Sequence, residues 1–158
     1  MSQGKGFDMS KVSTASKILL IAGVLYIIDL FLPWQSVDLG PLVGDATSSG
    51  ASGIGVLNLL LAIALVAWEG MAVGGVEINA PKALISAALA GAIVVFTILK
   101  LIVDNEFLAI FAWIGLILAL VIGYGGWMRW QEHQAGVGGG FGGGAAPPPP
   151  PSDTGPTI

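Results

Sequence analysis

The sequence predicts an all-α integral membrane protein: a bundle of four transmembrane helices, both termini cytoplasmic, with a disordered C-terminal tail. Three observations predict it. Hydrophobic residues make up 54% of the 158 residues, and mean hydropathy is +0.85. Charged residues make up only 10%, where roughly 25% is usual in a soluble domain. The apolar residues fall into four blocks, each close to the ~20 residues that cross ~30 Å of hydrocarbon at 1.5 Å per residue.

After a cytoplasmic segment over 1–14, the first helix is expected over 15–34 (ASKILLIAGVLYIIDLFLPW). Basic residues precede an apolar core, as in a signal peptide, but Leu32-Pro33-Trp34-Gln35 follows instead of a small-x-small cleavage site, so the helix is read as uncleaved. An outer loop over 35–52 carries Asp38, Asp45 and a run of small residues, with a short alternating stretch over 34–39 that suits a strand. The second helix is expected over 53–70, the third over 81–103 and the fourth over 106–127. None shows the polar stripe of a surface helix. The membrane domain thus spans 15–133. From 134 onward, glycine runs and five consecutive prolines offer too little apolar surface to fold.

Lys5, Lys11, Lys17, Lys82 and Arg129 lie on one side of a four-helix model and only Lys100 toward the other. The excess of basic residues places both termini in the cytoplasm. Trp34 is expected at the outer membrane interface, and Trp68, Trp127 and Trp130 at the inner one, with Trp113 as a packing residue inside the fourth helix. Glu69, Lys82, Arg129 and Glu132 read as a solvated inner rim.

Candidate chemistry is sparse. No cysteine and one histidine, His133, leave no thiol nucleophile and no multi-histidine metal site, so no metal and no cofactor is expected. The net charge of −4 argues against nucleic acid as a partner. Ser48, Ser49 and Ser52 have no histidine on their side of the membrane, which argues against enzyme chemistry. Asp29, Asn58 and Lys100, with Thr97 one turn deeper, place polar groups of three helices in one outer-leaflet layer. Buried ionisable groups in a membrane usually face a partner or a cavity. Three readings stand: an ion or proton site; an Asp29–Lys100 ion pair bridged by Asn58; or Lys100 reaching the interface and Asp29 hydrated beside it. Small residues recur every four positions as Ala83, Ala87, Gly91 and as Gly115, Ala119, Gly123, spacing that lets the third and fourth helices approach closely.

Leu32-Pro33-Trp34, then 36–40 (SVDLG), then Ser52-Gly53-Ile54-Gly55 resemble small four-span membrane proteins of actinobacteria, which often carry Gly/Pro-rich cytoplasmic extensions like the one from Gly136. That resemblance implies topology and no activity. The Trp-bearing first outer loop is also similar to that of claudin-like proteins, without their loop cysteines. The expected role is a non-enzymatic accessory or scaffold subunit of a membrane complex, partnered by the lipid bilayer and by another membrane protein or a second copy. The alternative is a small oligomeric transporter or channel using Asp29.

Overall fold

The first helix, α1 (Thr14–Leu30), begins where the Ser13 hydroxyl accepts the Ser16 N–H at 3.3 Å and so satisfies one free donor of the first turn. It ends four residues before the expected limit. Pro33 disfavours helical backbone at the residue before it, and the chain turns into β1 (Pro33–Asp38), which pairs antiparallel with β2 (Asp45–Ser49). The expected strand is there, and the small residues after it form its partner. Helix α2 (Gly55–Val73) follows, then α3 (Lys82–Val103), opened by Pro81, and α4 (Ile110–Gly138). The computed structural model describes residues 12–76 and 80–138. Lys5, Lys11 and the proline run lie outside those residues.

Among the described residues there are thus four helices, and α2, α3 and α4 are each long and apolar enough to cross a membrane. α1 packs on α2 and α4, and α3 packs on α2 and α4. The hairpin lies at the end of the bundle where α1 finishes and α2 begins, called here the hairpin end.

Helix α4 departs from expectation at both ends. Residues 104–109 are not helical: Phe107 sits at φ 58°, Leu108 bridges Gln35 of β1, and the Ala109 N–H donates to the Trp34 carbonyl at 2.7 Å. At its other end α4 runs to Gly138, so the expected boundary at 134 falls inside a helix. Its 29 residues span about 43 Å, well beyond the ~30 Å of a hydrocarbon core.

The inward-facing positions recur with alternating steps of three and four: Asn58, Ala62, Leu65, Glu69 on α2; Ser86, Ala90, Ile93, Thr97, Lys100 on α3; Ala112, Gly115, Ala119, Ile122 on α4. That 3.5-residue repeat gives the narrow seam of antiparallel bundles. Polarity is inverted relative to a soluble bundle. Asp29, Asn58, Glu69, Ser86, Thr97 and Lys100 are buried, while Ile21, Leu25, Ile28, Leu60, Val95 and Ile117 are exposed. An apolar surface of this extent is one that lipid, not water, solvates.

Candidate functional site: two polar clusters in the core

At the end opposite the hairpin, one cluster joins all four helices. Glu69 of α2 is fully buried; its Oε2 accepts from Arg129 Nη2 of α4 at 2.8 Å, and its Oε1 accepts from the Ser86 hydroxyl of α3. The same Arg129 Nη2 donates to the Ser16 hydroxyl of α1, and Nη1 donates to Glu132 at 3.0 Å. Arg129 itself is 15% exposed. The expected solvated rim is therefore corrected for Glu69 and Arg129. Glu69 sits one turn further along the inward seam than Leu65, and its carboxylate is tolerable there because Arg129 and Ser86 replace the water it has lost.

Sequence reasoning groups Glu69, Arg129 and Glu132 but misses their burial and the two serines, Ser16 and Ser86, although a signal for the buried face exists. Asn58 and Glu69 are eleven residues apart, as are Ser86 and Thr97. At 100° per residue, eleven residues return to within about 20° of the same direction. Each of the two middle helices thus carries polar groups three turns apart on one face.

Toward the hairpin end lies the second cluster, which joins two of the four residues singled out from the sequence, Asn58 and Thr97, through Tyr26. The Tyr26 hydroxyl of α1 and Thr97 Oγ1 of α3 lie 2.6 Å apart, Thr97 donates to the Ile93 carbonyl at 2.7 Å, and Asn58 Nδ2 of α2 donates to Thr97 Oγ1 at 3.4 Å. With its proton on Ile93, Thr97 Oγ1 accepts from both Tyr26 and Asn58, which fills its capacity.

One turn nearer the hairpin, Asp29 and Lys100 are both buried but take different partners. Lys100 Nζ binds Asp104 Oδ2 at 2.8 Å and the Ser52 carbonyl at 3.0 Å. Asp29 Oδ2 accepts from Trp34 Nε1 at 3.0 Å. The expected Asp29–Lys100 ion pair and its Asn58 bridge are not formed. Asp104 stands one helical turn from Lys100 on the same face, within easy reach of a long side chain, whereas Trp34 folds back over Asp29 as β1 leaves α1. Among the described residues, Asp29 Oδ1, Asn58 Oδ1 and Arg129 Nε are buried without a hydrogen-bond partner.

The tryptophans separate similarly. Trp34 is 1% exposed, packed edge-on to Tyr26 at 6.4 Å, and is a core residue instead of an interface anchor. Trp68 is half-buried with its N–H on the Lys82 carbonyl, while Trp127 and Trp130 are exposed. Trp113, expected to pack inside, is exposed, because it stands beside the inward face that Ala112 and Gly115 occupy.

The two small stripes do not pair residue for residue. A Cβ on Gly123 would come 2.8 Å from Val94 of α3, and one on Gly126 would come 2.5 Å from the Ala90 Cβ, with Ala87 beside it. Ala119 is buried, and Ala83 is half-buried near the start of α3. Gly115 faces the other way, where a Cβ would collide with Trp34 and Asp29. Gly91 meets nothing; it opens onto a surface groove of about 380 Å³ beside Leu84, Ala88 and Trp127.

Between the two clusters lies an apolar layer, two residues from each helix: Leu19 and Ala22, Ala62 and Leu65, Ala90 and Ile93, Ala119 and Ile122, none more than 4% exposed. Asn58 and Glu69 are separated along α2 by about 16 Å of helix rise. Among the described residues no group of His, Cys, Asp or Glu is arranged to hold a metal ion. Compared with known proteins, the chain matches no protein-family model, no curated protein and no solved structure.

Proposed function

We propose that this chain is a four-span protein of the plasma membrane, both termini cytoplasmic, serving as a non-enzymatic accessory or scaffold subunit of a larger membrane assembly. The observation that carries this reading is the buried apolar layer between the polar clusters. A transport path needs polar groups or water along its length, and here eight close-packed apolar side chains separate Asp29 from Glu69. Tyr26, Asn58 and Thr97 in one cluster, and Ser16, Glu69, Ser86 and Arg129 in the other, are hydrogen-bonded across helices, an arrangement that stitches a bundle together in lipid. His133 lies beside Trp130 at the end opposite Ser48 and Ser52, which supports a non-enzymatic role.

The proposed orientation, that end in the cytoplasm and the hairpin outside, is supported by Lys17, Lys82 and Arg129 standing at the end opposite the hairpin. Helix α1 has 17 residues, about 25 Å of rise, enough to span with slight local thinning. The likeness to actinobacterial four-span proteins agrees with this topology.

The second reading, a transporter using Asp29, is favoured by one observation: Asp29 Oδ1 and Asn58 Oδ1 lack donors. Gentle extraction of the tagged full chain separates the two. A large partner co-purifying at fixed stoichiometry is the expected result. A clean homo-oligomer that conducts protons in proteoliposomes, and loses that flux in Asp29→Asn, would contradict it.

A further inference from the structure

The hairpin carries an apolar tip that nothing among the described residues covers. Across the connection from β1 to β2, Leu39 is 51% exposed, Val43 72% and Leu42 98%. The tip is nonetheless well ordered by its own bonds. The Leu39 N–H donates to the Gly44 carbonyl at 3.1 Å, the Gly44 N–H to the Gly40 carbonyl at 2.9 Å, and Asp38 Oδ1 accepts the Gly40 N–H at 2.7 Å. Gly40 and Gly44 supply the left-handed backbone, at φ +91° and +79°, that this closure needs. The base is equally firm. Trp34 is buried in the bundle, and β1 is tied to the α3–α4 connection through Ser36 N–H to the Phe107 carbonyl at 3.1 Å. Leu42 and Val43 are therefore presented outward on a hydrogen-bonded turn, in a position where turn chemistry favours polar residues.

The neck below the tip adds a second, independent observation. Asp38 and Asp45 are directly opposite each other in the strand register, and both are exposed. Like charges facing each other across two strands destabilise a hairpin, and no Lys or Arg occurs between positions 18 and 81 to offset them. The pair repels an anionic membrane surface and the same tip on a second copy, and it attracts a cation. An apolar knob above an acidic collar matches a protein cleft of the opposite design, apolar inside with a basic rim.

We propose that this tip is the docking element for a protein partner, Leu42 and Val43 entering an apolar cleft and Asp38 and Asp45 meeting Lys or Arg side chains on its rim. The proposal rests on the accessory-subunit reading and names the contact through which that role is exercised.

The test places a photoreactive benzoyl-phenylalanine at position 42, 43 or 47 of the full chain in its native membrane. Positions 42 and 43 are expected to give one protein adduct of constant mass, and Thr47, on the same hairpin away from the tip, none. The double change Asp38→Asn with Asp45→Asn keeps the acceptor for Gly40 and removes the charge; it is expected to lower the adduct about fivefold or more, as high salt should. Five outcomes would overturn the proposal. They are no adduct, an adduct of twice the chain's own mass, an adduct indifferent to the acidic pair, loss of the adduct with a calcium chelator, and lipid adducts formed equally in phosphatidylcholine–phosphatidylglycerol vesicles. If a stoichiometric partner still co-purifies while the tip fails to crosslink, the accessory reading stands and the helices make the contact instead.

Discussion

Glu69 is held in a dry interior by two donors, Arg129 and Ser86, drawn from two other helices. Removing one member of such a pair leaves the other charge buried and uncompensated, whereas replacing both with apolar side chains removes the desolvation cost along with the attraction. Glu69→Ala is therefore expected to destabilise the protein by about 3–5 kcal/mol, and the double change Glu69→Leu with Arg129→Met to cost much less or to be neutral. Equilibrium unfolding in detergent measures both. Equal losses in the single and double variants would mean that the cluster is hydrated and contributes through packing alone. Asp29 and Lys100 present the opposite case. They lie near one another in depth but share no partner, so depth read from sequence says nothing about which way two side chains turn. Asp104, one turn away on the same helix, settles Lys100.

At the scale of the helices, much was legible and the errors have identifiable causes. Four apolar blocks of spanning length gave four helices, and the alternation after Pro33 gave a strand. Helix ends were misjudged where a residue type was read as a membrane marker: Trp34 extended the first helix into β1, and starting the fourth at Glu106 buried Trp113 in it. The polar interior was hidden for a different reason. In a soluble helix the polar face contrasts with an apolar one, but here the outward face is apolar too, so the few inward Asn, Glu, Ser and Thr residues barely alter the hydrophobic pattern. Only their eleven-residue spacing reveals a shared face.

The same limit explains the glycines. A small residue is visible in sequence, and the neighbour that it admits is not. Gly115 makes room for Trp34 and Asp29, while Gly91 makes room for nothing among the described residues. Gly115→Ala is expected to cost about 1–3 kcal/mol through overpacking, and Gly91→Ala to stay within about 0.5 kcal/mol of the parent. Thermal unfolding of the two variants compares them; equal sensitivity would show that the close approach at Gly115 is not the origin of the effect.

At the scale of the whole molecule, the described residues form a bundle with a four-helix ionic cluster at one end, a smaller hydroxyl–amide cluster toward the other, and a buried apolar layer between. The inverted polarity of surface and core suits lipid, and the hairpin end carries the acidic-necked knob. The absence of cysteine makes single-thiol probing straightforward. Thiols introduced by Thr47→Cys and by Leu65→Cys, each in the full chain in membrane vesicles, are treated from either side with a small, charged, membrane-impermeant thiol reagent. The account predicts rapid modification at position 47 from the hairpin side only, and no modification at position 65 from either side. Modification at position 65 in the folded protein would show water reaching the middle of the bundle, and would contradict the closed apolar layer on which the proposed accessory role rests.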